Sequence, residues 1–139
     1  MRKNDPISKM MIKDVVTLQV GQPVSDARKL LKEKGFHHLP VLDGEKLVGV
    51  ISNLDIVKLT FDAYDTDERT MDVVLDDLFT LDKVMASDLV TISHKDTVRR
   101  AVNLLSDGAF HALPVVDENG SLKGIVTSTD LIQYLMNQY

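Results

Sequence analysis

The 139-residue chain has no cysteine and no tryptophan, and aromatic residues make up only 5% of it. The lack of cysteine excludes disulfides, thiolate zinc sites and cysteine nucleophiles. With so few aromatics, the core must be built mainly from Val, Leu and Ile. No stretch approaches the roughly 20 apolar residues that a membrane helix needs. The amino-terminal Met1, Arg2 and Lys3 begin with positive charge, but no long apolar run follows, so a secretory signal is not expected. These absences lead us to expect a cytoplasmic protein. The chain also lacks a Gly-x-x-x-x-Gly-Lys-Ser/Thr phosphate loop and a Gly-x-Gly-x-x-Gly fingerprint. A Gly-x-Ser-x-Gly elbow and a His-Glu-x-x-His motif are missing too. No acid, base and nucleophile recur at a workable spacing, so the expectation is a protein that is not an enzyme.

What is present is the balance of one ordinary globular domain, 44% hydrophobic and 27% charged. The net charge of -5 is unevenly placed. Residues 62 to 82 hold eight acids and one base, Arg69, which leaves 13 acids and 15 bases elsewhere. A body with a net charge of +2 suits a small anionic ligand but not a nucleic-acid footprint. No aromatic stacking platform is visible either.

The chain repeats itself. At an offset of 74, Val24, Ala27, Leu30 and Leu31 fall on Val98, Ala101, Leu104 and Leu105. At the same offset Phe36-His37 falls on Phe110-His111, and Leu39-Pro40-Val41 on Leu113-Pro114-Val115. One inserted residue near Glu118, Asn119 and Gly120 changes the offset to 75, and then Leu47, Gly49 and Asp55 meet Leu122, Gly124 and Asp130. Each copy reads as strand, helix, strand, strand, helix. The first strands are expected at 15 to 18 and 89 to 92, where β-branched residues cluster. Helices follow, with Gln22 and Asp96 in N-cap position, Pro23 at the first helical place, and Gly35 and Gly108 marking the ends. Strands at 39 to 42 and 47 to 52, and at 113 to 116 and 122 to 127, flank Gly-containing turns. The closing helices start near Leu54 and Thr129. Ile56, Val57 and Leu59 form the apolar side of the first; Leu131, Ile132, Leu135 and Met136 form that of the second. Between the copies, 62 to 68 reads as a loop. Residues 70 to 78 read as an acidic helix with Met71, Val74, Leu75 and Leu78 facing inward.

Two segments carry the chemistry: Gly49-Val50-Ile51-Ser52-Asn53-Leu54-Asp55 and Gly124-Ile125-Val126-Thr127-Ser128-Thr129-Asp130. Each places a hydroxyl where a strand runs into a helix, with a carboxylate three residues on. Such a junction presents N–H groups and a positive dipole end to an anion. The same pattern is an ordinary helix cap, and the two roles can coexist.

This duplicated pattern resembles the CBS-domain pair, or Bateman module, of the stand-alone prokaryotic type. The carrying residues are His37-His38-Leu39-Pro40-Val41 and His111-Ala112-Leu113-Pro114-Val115, with the two Gly-x-x-Ser/Thr-x-x-Asp segments. The resemblance implies a mixed α/β (α+β) fold of tandem β-α-β-β-α repeats. Each repeat has a three-stranded sheet, and a pseudo-twofold axis relates the two. The expected limits are 7–60 for the first repeat, 61–82 for an acidic, partly helical connector and 83–139 for the second repeat. It further implies a homodimer that regulates another protein by binding AMP, ADP, ATP or S-adenosylmethionine, with Mg2+ as a companion ion of phosphates. No nucleic acid, no membrane and no resident metal or required cofactor are implied.

By the same resemblance, Ser52 and Thr127 face phosphate, and Asp55 and Asp130 grip ribose hydroxyls. His37 and His111 stand where a histidine approaches phosphate in the γ subunit of AMP-activated kinase, with His38 and Ala112 beside them. A flat adenine slot would be lined by Val16, Thr17, Ala27, Leu39 and Pro40 in one repeat, and by Val90, Thr91, Ala101, Leu113 and Pro114 in the other. Small Ala27 and Ala101 would leave room on the helix face. For all of these the plain alternative is capping, core packing or a strand-edge histidine. Thr129 adds a hydroxyl beside Asp130 where the first repeat has Leu54, which ranks the Thr127, Thr129 and Asp130 notch first. A metal site from His37, His38 and His111 has neither the spacing nor a carboxylate partner. His94 reads as exposed. The competing reading is a dimerisation or partner-docking module that works without ligand, through the acidic connector and the last helix.

Overall fold

Runs of buried residues, Leu39, Pro40 and Val41 in one repeat and Leu113, Pro114 and Val115 in the other, centre one three-stranded sheet per repeat. The computed structural model describes residues 4–60 and 67–138. In the first repeat β1 (Leu18–Gln19) pairs in parallel with β2 (His38–Asp43), and β2 pairs antiparallel with β3 (Lys46–Ser52). In the second, β4 (Ile92–Ser93), β5 (Ala112–Val116) and β6 (Leu122–Thr127) repeat that order. The helices are α1 (Val24–Lys34), α2 (Asn53–Thr60), α3 (Glu68–Leu78), the short α4 (Leu81–Val84), α5 (Val98–Leu105) and α6 (Ser128–Met136). The tandem mixed α/β architecture expected from the repeats is the one observed.

The first strands are shorter than the β-branched runs suggest. Only Leu18 and Gln19, and Ile92 and Ser93, find ladder partners on the neighbouring strand. Val16, Thr17, Val90 and Thr91 precede the strands instead. The helix caps also differ from expectation. Pro23 itself occupies the N-cap of α1, and Thr97 caps α5 by accepting the Arg100 N–H at 3.3 Å. Gln22 and Asp96 are engaged one step earlier. Gln22 Oε1 accepts from the Gln19 N–H at 2.7 Å and Asp96 Oδ2 from the Ser93 N–H at 3.2 Å. Both close the strand-to-helix turn rather than the helix.

The chain divides into two compact units. One is Val16–Leu89; the other joins Met1–Val15 to Val90–Tyr139. In the first, Leu18, Val24, Ala27, Leu39, Val41 and Ile51 form the core with Leu75 and Leu81. In the second, Ile92, Val98, Ala101, Leu113, Val115 and Val126 form the core with Ile7, Met10 and Tyr134. The opening residues of each repeat as bounded from the sequence, 7–15 and 83–89, therefore pack in the unit built on the other repeat. Ile12 exchanges backbone hydrogen bonds of 2.9 and 3.0 Å with Ile125 on β6, and Ala86 does the same with Val50 on β3 at 3.0 Å. These straps satisfy N–H and C=O groups on strands that would otherwise be open edges. Gly124 admits the first strap: a Cβ there would lie 2.7 Å from the Ile12 carbonyl oxygen.

The acidic segment packs more firmly than a solvated connector, and its inward face differs from the one read from the pattern. Leu75 is buried and Met71 partly so, whereas Val74 and Leu78 are 37% and 66% exposed. The rotation follows from α1. Asp76 accepts from the Ser25 N–H at 2.8 Å and from its hydroxyl at 2.6 Å. Arg28 Nε lies 3.1 Å from Asp72 Oδ1, and Lys32 pairs with Glu68. These partners draw the acidic side of α3 toward α1. The loop expected at 62 to 68 lies outside the described residues except for Asp67 and Glu68, and Asp67 caps α3.

Candidate functional site

The two Gly-x-x-Ser/Thr-x-x-Asp segments fold into the same object. In the first, the Ser52 N–H donates to Asp55 Oδ2 at 2.8 Å and the Asp55 N–H donates to Ser52 Oγ at 3.2 Å. In the second, the Thr127 N–H donates to Asp130 Oδ2 at 2.9 Å and the Asp130 N–H donates to Thr127 Oγ1 at 3.1 Å. Each is a capping box with aspartate in the acidic place. The next amide is engaged too: Asn53 N–H donates to the His37 carbonyl at 2.9 Å and Ser128 N–H to the His111 carbonyl at 3.0 Å. The notch is therefore less open to anions than the sequence pattern suggests. Three of its first four N–H groups have partners, and those of Leu54 and Thr129 are left among the described residues. What else remains is chemically useful. Each capping hydroxyl accepts from an amide and still has its O–H proton to donate. Each aspartate uses Oδ2 and retains Oδ1 as an acceptor.

Strand register sets what faces the notch. His38 lies directly opposite Ser52 on β2 and β3, and Ala112 opposite Thr127 on β5 and β6. Directly opposed residues share a sheet face. His37 and His111 stand one residue ahead of these strands and are exposed. Ser52, Asp55, Thr127 and Asp130 are half-buried, and Thr129 is exposed. The hydroxyls, carboxylates and histidines of each repeat are thus gathered at the same strand-to-helix junction, within reach of solvent.

The expected adenine slot is only partly available. Ala27, Ala101, Leu39 and Leu113 are fully buried in the two cores. Their aliphatic side chains pack between helix and sheet, and Ala27 and Ala101 present no accessible surface on the helix face. Pro40 and Pro114 are buried as well. Val16, Thr17, Val90 and Thr91 keep accessible surface. Among the described residues no three His, Asp or Glu side chains come together as a metal site.

A groove of about 140 Å³ runs beside Asp130, lined by Lys9, Met10, Asp130, Gln133, Tyr134 and Asn137. Residues 130, 133, 134 and 137 form one side of a helix by their spacing. Lys9, Gln133, Tyr134 and Asn137 were not singled out by sequence motifs. The signal that points to Lys9 is its repeat partner Lys83, at the same offset of 74. A second cavity of about 260 Å³, lined by Arg28, Lys32, Asn53, Ile56, Thr60 and Met71, lies where α1, α2 and α3 meet. No helix among the described residues is long and apolar enough to cross a membrane.

Comparison with known proteins places this geometry. The family model described as the CBS domain matches residues 7–62 and again 81–137. The MJ1225 protein of Methanocaldococcus jannaschii is 29% identical over 133 residues, covering 95% of this chain and 48% of its own. The inosine-5'-monophosphate dehydrogenase of Korarchaeum cryptofilum is 31% identical over 121 residues, covering 87% of this chain and 22% of the enzyme. This chain therefore spans about half or less of these curated relatives. Among solved structures, MJ1225 superposes with a TM-score of 0.81 at 27% identity, covering 97% of this chain and 49% of that one. The CBS-pair protein CBSX2 of Arabidopsis thaliana gives a TM-score of 0.81 at 26% identity, covering 98% and 97% of the two chains. With both repeats matched and both notches formed, the chain belongs to the CBS-domain family.

Proposed function

We propose that this protein is a regulatory module that binds an adenosine nucleotide or S-adenosylmethionine at the strand-to-helix notches and acts through a homodimer on another protein. The observation that carries this reading is the pair of notches. Each offers a hydroxyl proton, one open amide and one uncommitted carboxylate oxygen at a solvent-reachable junction. Hydroxyl and amide donors suit phosphate, and a carboxylate accepts from two sugar hydroxyls. The reading gains support from related structures: CBSX2 has been solved with AMP, and the CBS pair of MJ0100 with 5'-methylthioadenosine and S-adenosylmethionine. Those two chains are 24% and 23% identical to this one.

Titration calorimetry with AMP, ATP and S-adenosylmethionine tests the proposal directly. Binding of at least one of them is expected, and Asp130→Ala should abolish most of it. No heat with any of the three at millimolar concentration would remove the nucleotide reading.

A docking or dimerisation module that needs no ligand is favoured by one observation. Leu54 and Val57 on α2, and Ile132 and Met136 on α6, are exposed apolar side chains. The acidic connector gives that reading less, because Glu68, Asp72 and Asp76 are already engaged by α1.

A further inference from the structure

The two repeats diverge at one buried place, and the divergence bears on the notch of the second. Asp5, in the strap ahead of the first repeat, is 7% exposed and accepts a hydrogen bond from the Tyr134 hydroxyl of α6. At the repeat offsets the equivalents of these two residues are Phe79 and Leu59, an apolar pair. Removing a carboxylate from water is costly unless it is paired, and the Tyr134 hydroxyl supplies one partner. What Asp5 also holds is Lys9, whose Nζ lies 3.4 Å from Asp5 Oδ1. The Tyr134, Asp5 and Lys9 chain fixes an ammonium group on the wall of the groove that Asp130 lines. That groove then carries an anionic acceptor, a cationic donor and the two amides of Gln133 and Asn137. Acceptors and donors mixed at this density, in a space of about 140 Å³, match a polyol rather than a bare anion.

We infer that Lys9 completes a reader for the ribose diol in the second repeat: Asp130 Oδ1 accepts from the sugar hydroxyls, and Lys9 donates to a hydroxyl oxygen. This rests on the nucleotide reading of the notch and deepens it by naming the sugar edge as the part the strap recognises. It also makes the amino-terminal strap a component of the site.

The test is a thermodynamic cycle on the full chain with AMP and 2'-deoxy-AMP as probes. The ratio of their dissociation constants is measured in the wild type, Lys9→Met and Lys9→Arg. Comparing ratios cancels any general effect of the lysine charge on the phosphate. A hydrogen bond to a charged donor leads us to expect a preference for AMP that falls about tenfold in Lys9→Met and largely returns in Lys9→Arg. A wild-type preference that survives unchanged in Lys9→Met would overturn the role of Lys9 and leave the nucleotide reading standing. If the wild type binds neither probe, the notch reading falls and this inference with it.

Discussion

At Gly124 a single missing methyl group decides whether a strap can lie against a sheet edge. A Cβ there would meet the Ile12 carbonyl oxygen at 2.7 Å, and that oxygen is tied into a two-way backbone ladder with Ile125. It cannot turn aside without breaking those bonds. At the equivalent Gly49 a Cβ would collide with the side chain of Met85, whose rotatable bonds can carry it away. Gly124→Ala is therefore expected to cost about 1–3 kcal/mol, and Gly49→Ala less than about 1 kcal/mol. Urea denaturation of the two variants measures the difference; equal losses would mean that the strap is not held against β6. Tyr134→Phe belongs to the same scale. It leaves the buried Asp5 carboxylate without its hydroxyl donor, and the expected loss is about 1–3 kcal/mol. Asp5→Asn in the same background should recover part of it, since a neutral amide is cheaper to bury.

Among the elements, α3 shows what the pattern of a sequence can and cannot reveal. Its existence follows from the apolar spacing and from Asp67, which accepts the Thr70 N–H at 2.8 Å. Its orientation does not follow, because the partners that turn it, Ser25, Arg28 and Lys32, are more than 30 residues away in the chain. The same division runs through the site. The capping boxes were legible because both members lie within four residues of each other. The burial of Ala27, Leu39, Ala101 and Leu113 was not, because a small or apolar residue looks alike whether it lines a core or a cleft. The groove at Asp130 escaped notice because Lys9 reaches it from the far end of the chain. For α3 the energetics favour packing over charge: Leu75→Ala should cost about 2–5 kcal/mol. Asp72→Ala, which takes the carboxylate away from the largely buried Arg28 Nε, should cost about 1–3 kcal/mol. Charge matters more visibly at the turn between β5 and β6. There the Lys95 hydrogen bond, helped by the backbone and His94, holds the Glu118 carboxyl down at about 2. Lys95 is raised in return by the same contact. A depressed carboxylate stabilises the fold above its unfolded value, near 4.5, and loses that contribution as the pH falls toward 2. Glu118→Gln should flatten the stability profile across that window, which thermal melts at stepped pH would show.

For the whole molecule, the proposed homodimer needs a face for its second copy, and one exposed apolar position recurs in both repeats. Val57 on α2 and Ile132 on α6 occupy the same place in the two repeats, at the offset of 75. They are 48% and 58% exposed, and Met136 lies one turn beyond Ile132. Exposed apolar positions that recur at one place in a duplicated fold are not the scattered singles found on any surface. A second copy of the chain is the occupant proposed for the α6 face, since a twofold interface pairs a patch with itself. A stable interface of this kind buries about 800 Å² on each partner and depends on its central apolar contacts. Ile132→Glu would bury a charge at that centre and should weaken the dimer by more than about a hundredfold. Sedimentation at micromolar concentration should then show a dimeric wild type and a monomeric variant. Nucleotide titration of that variant separates the two levels of the proposal. Asp130 and Thr127 lie within one unit with Lys9, so a monomer that still binds AMP would keep the site and assign the dimer to signalling. Loss of AMP binding together with the dimer would make the second copy part of the site. A wild type that sediments as a monomer at every concentration would leave Ile132 and Met136 as surface residues and withdraw the dimer from the mechanism.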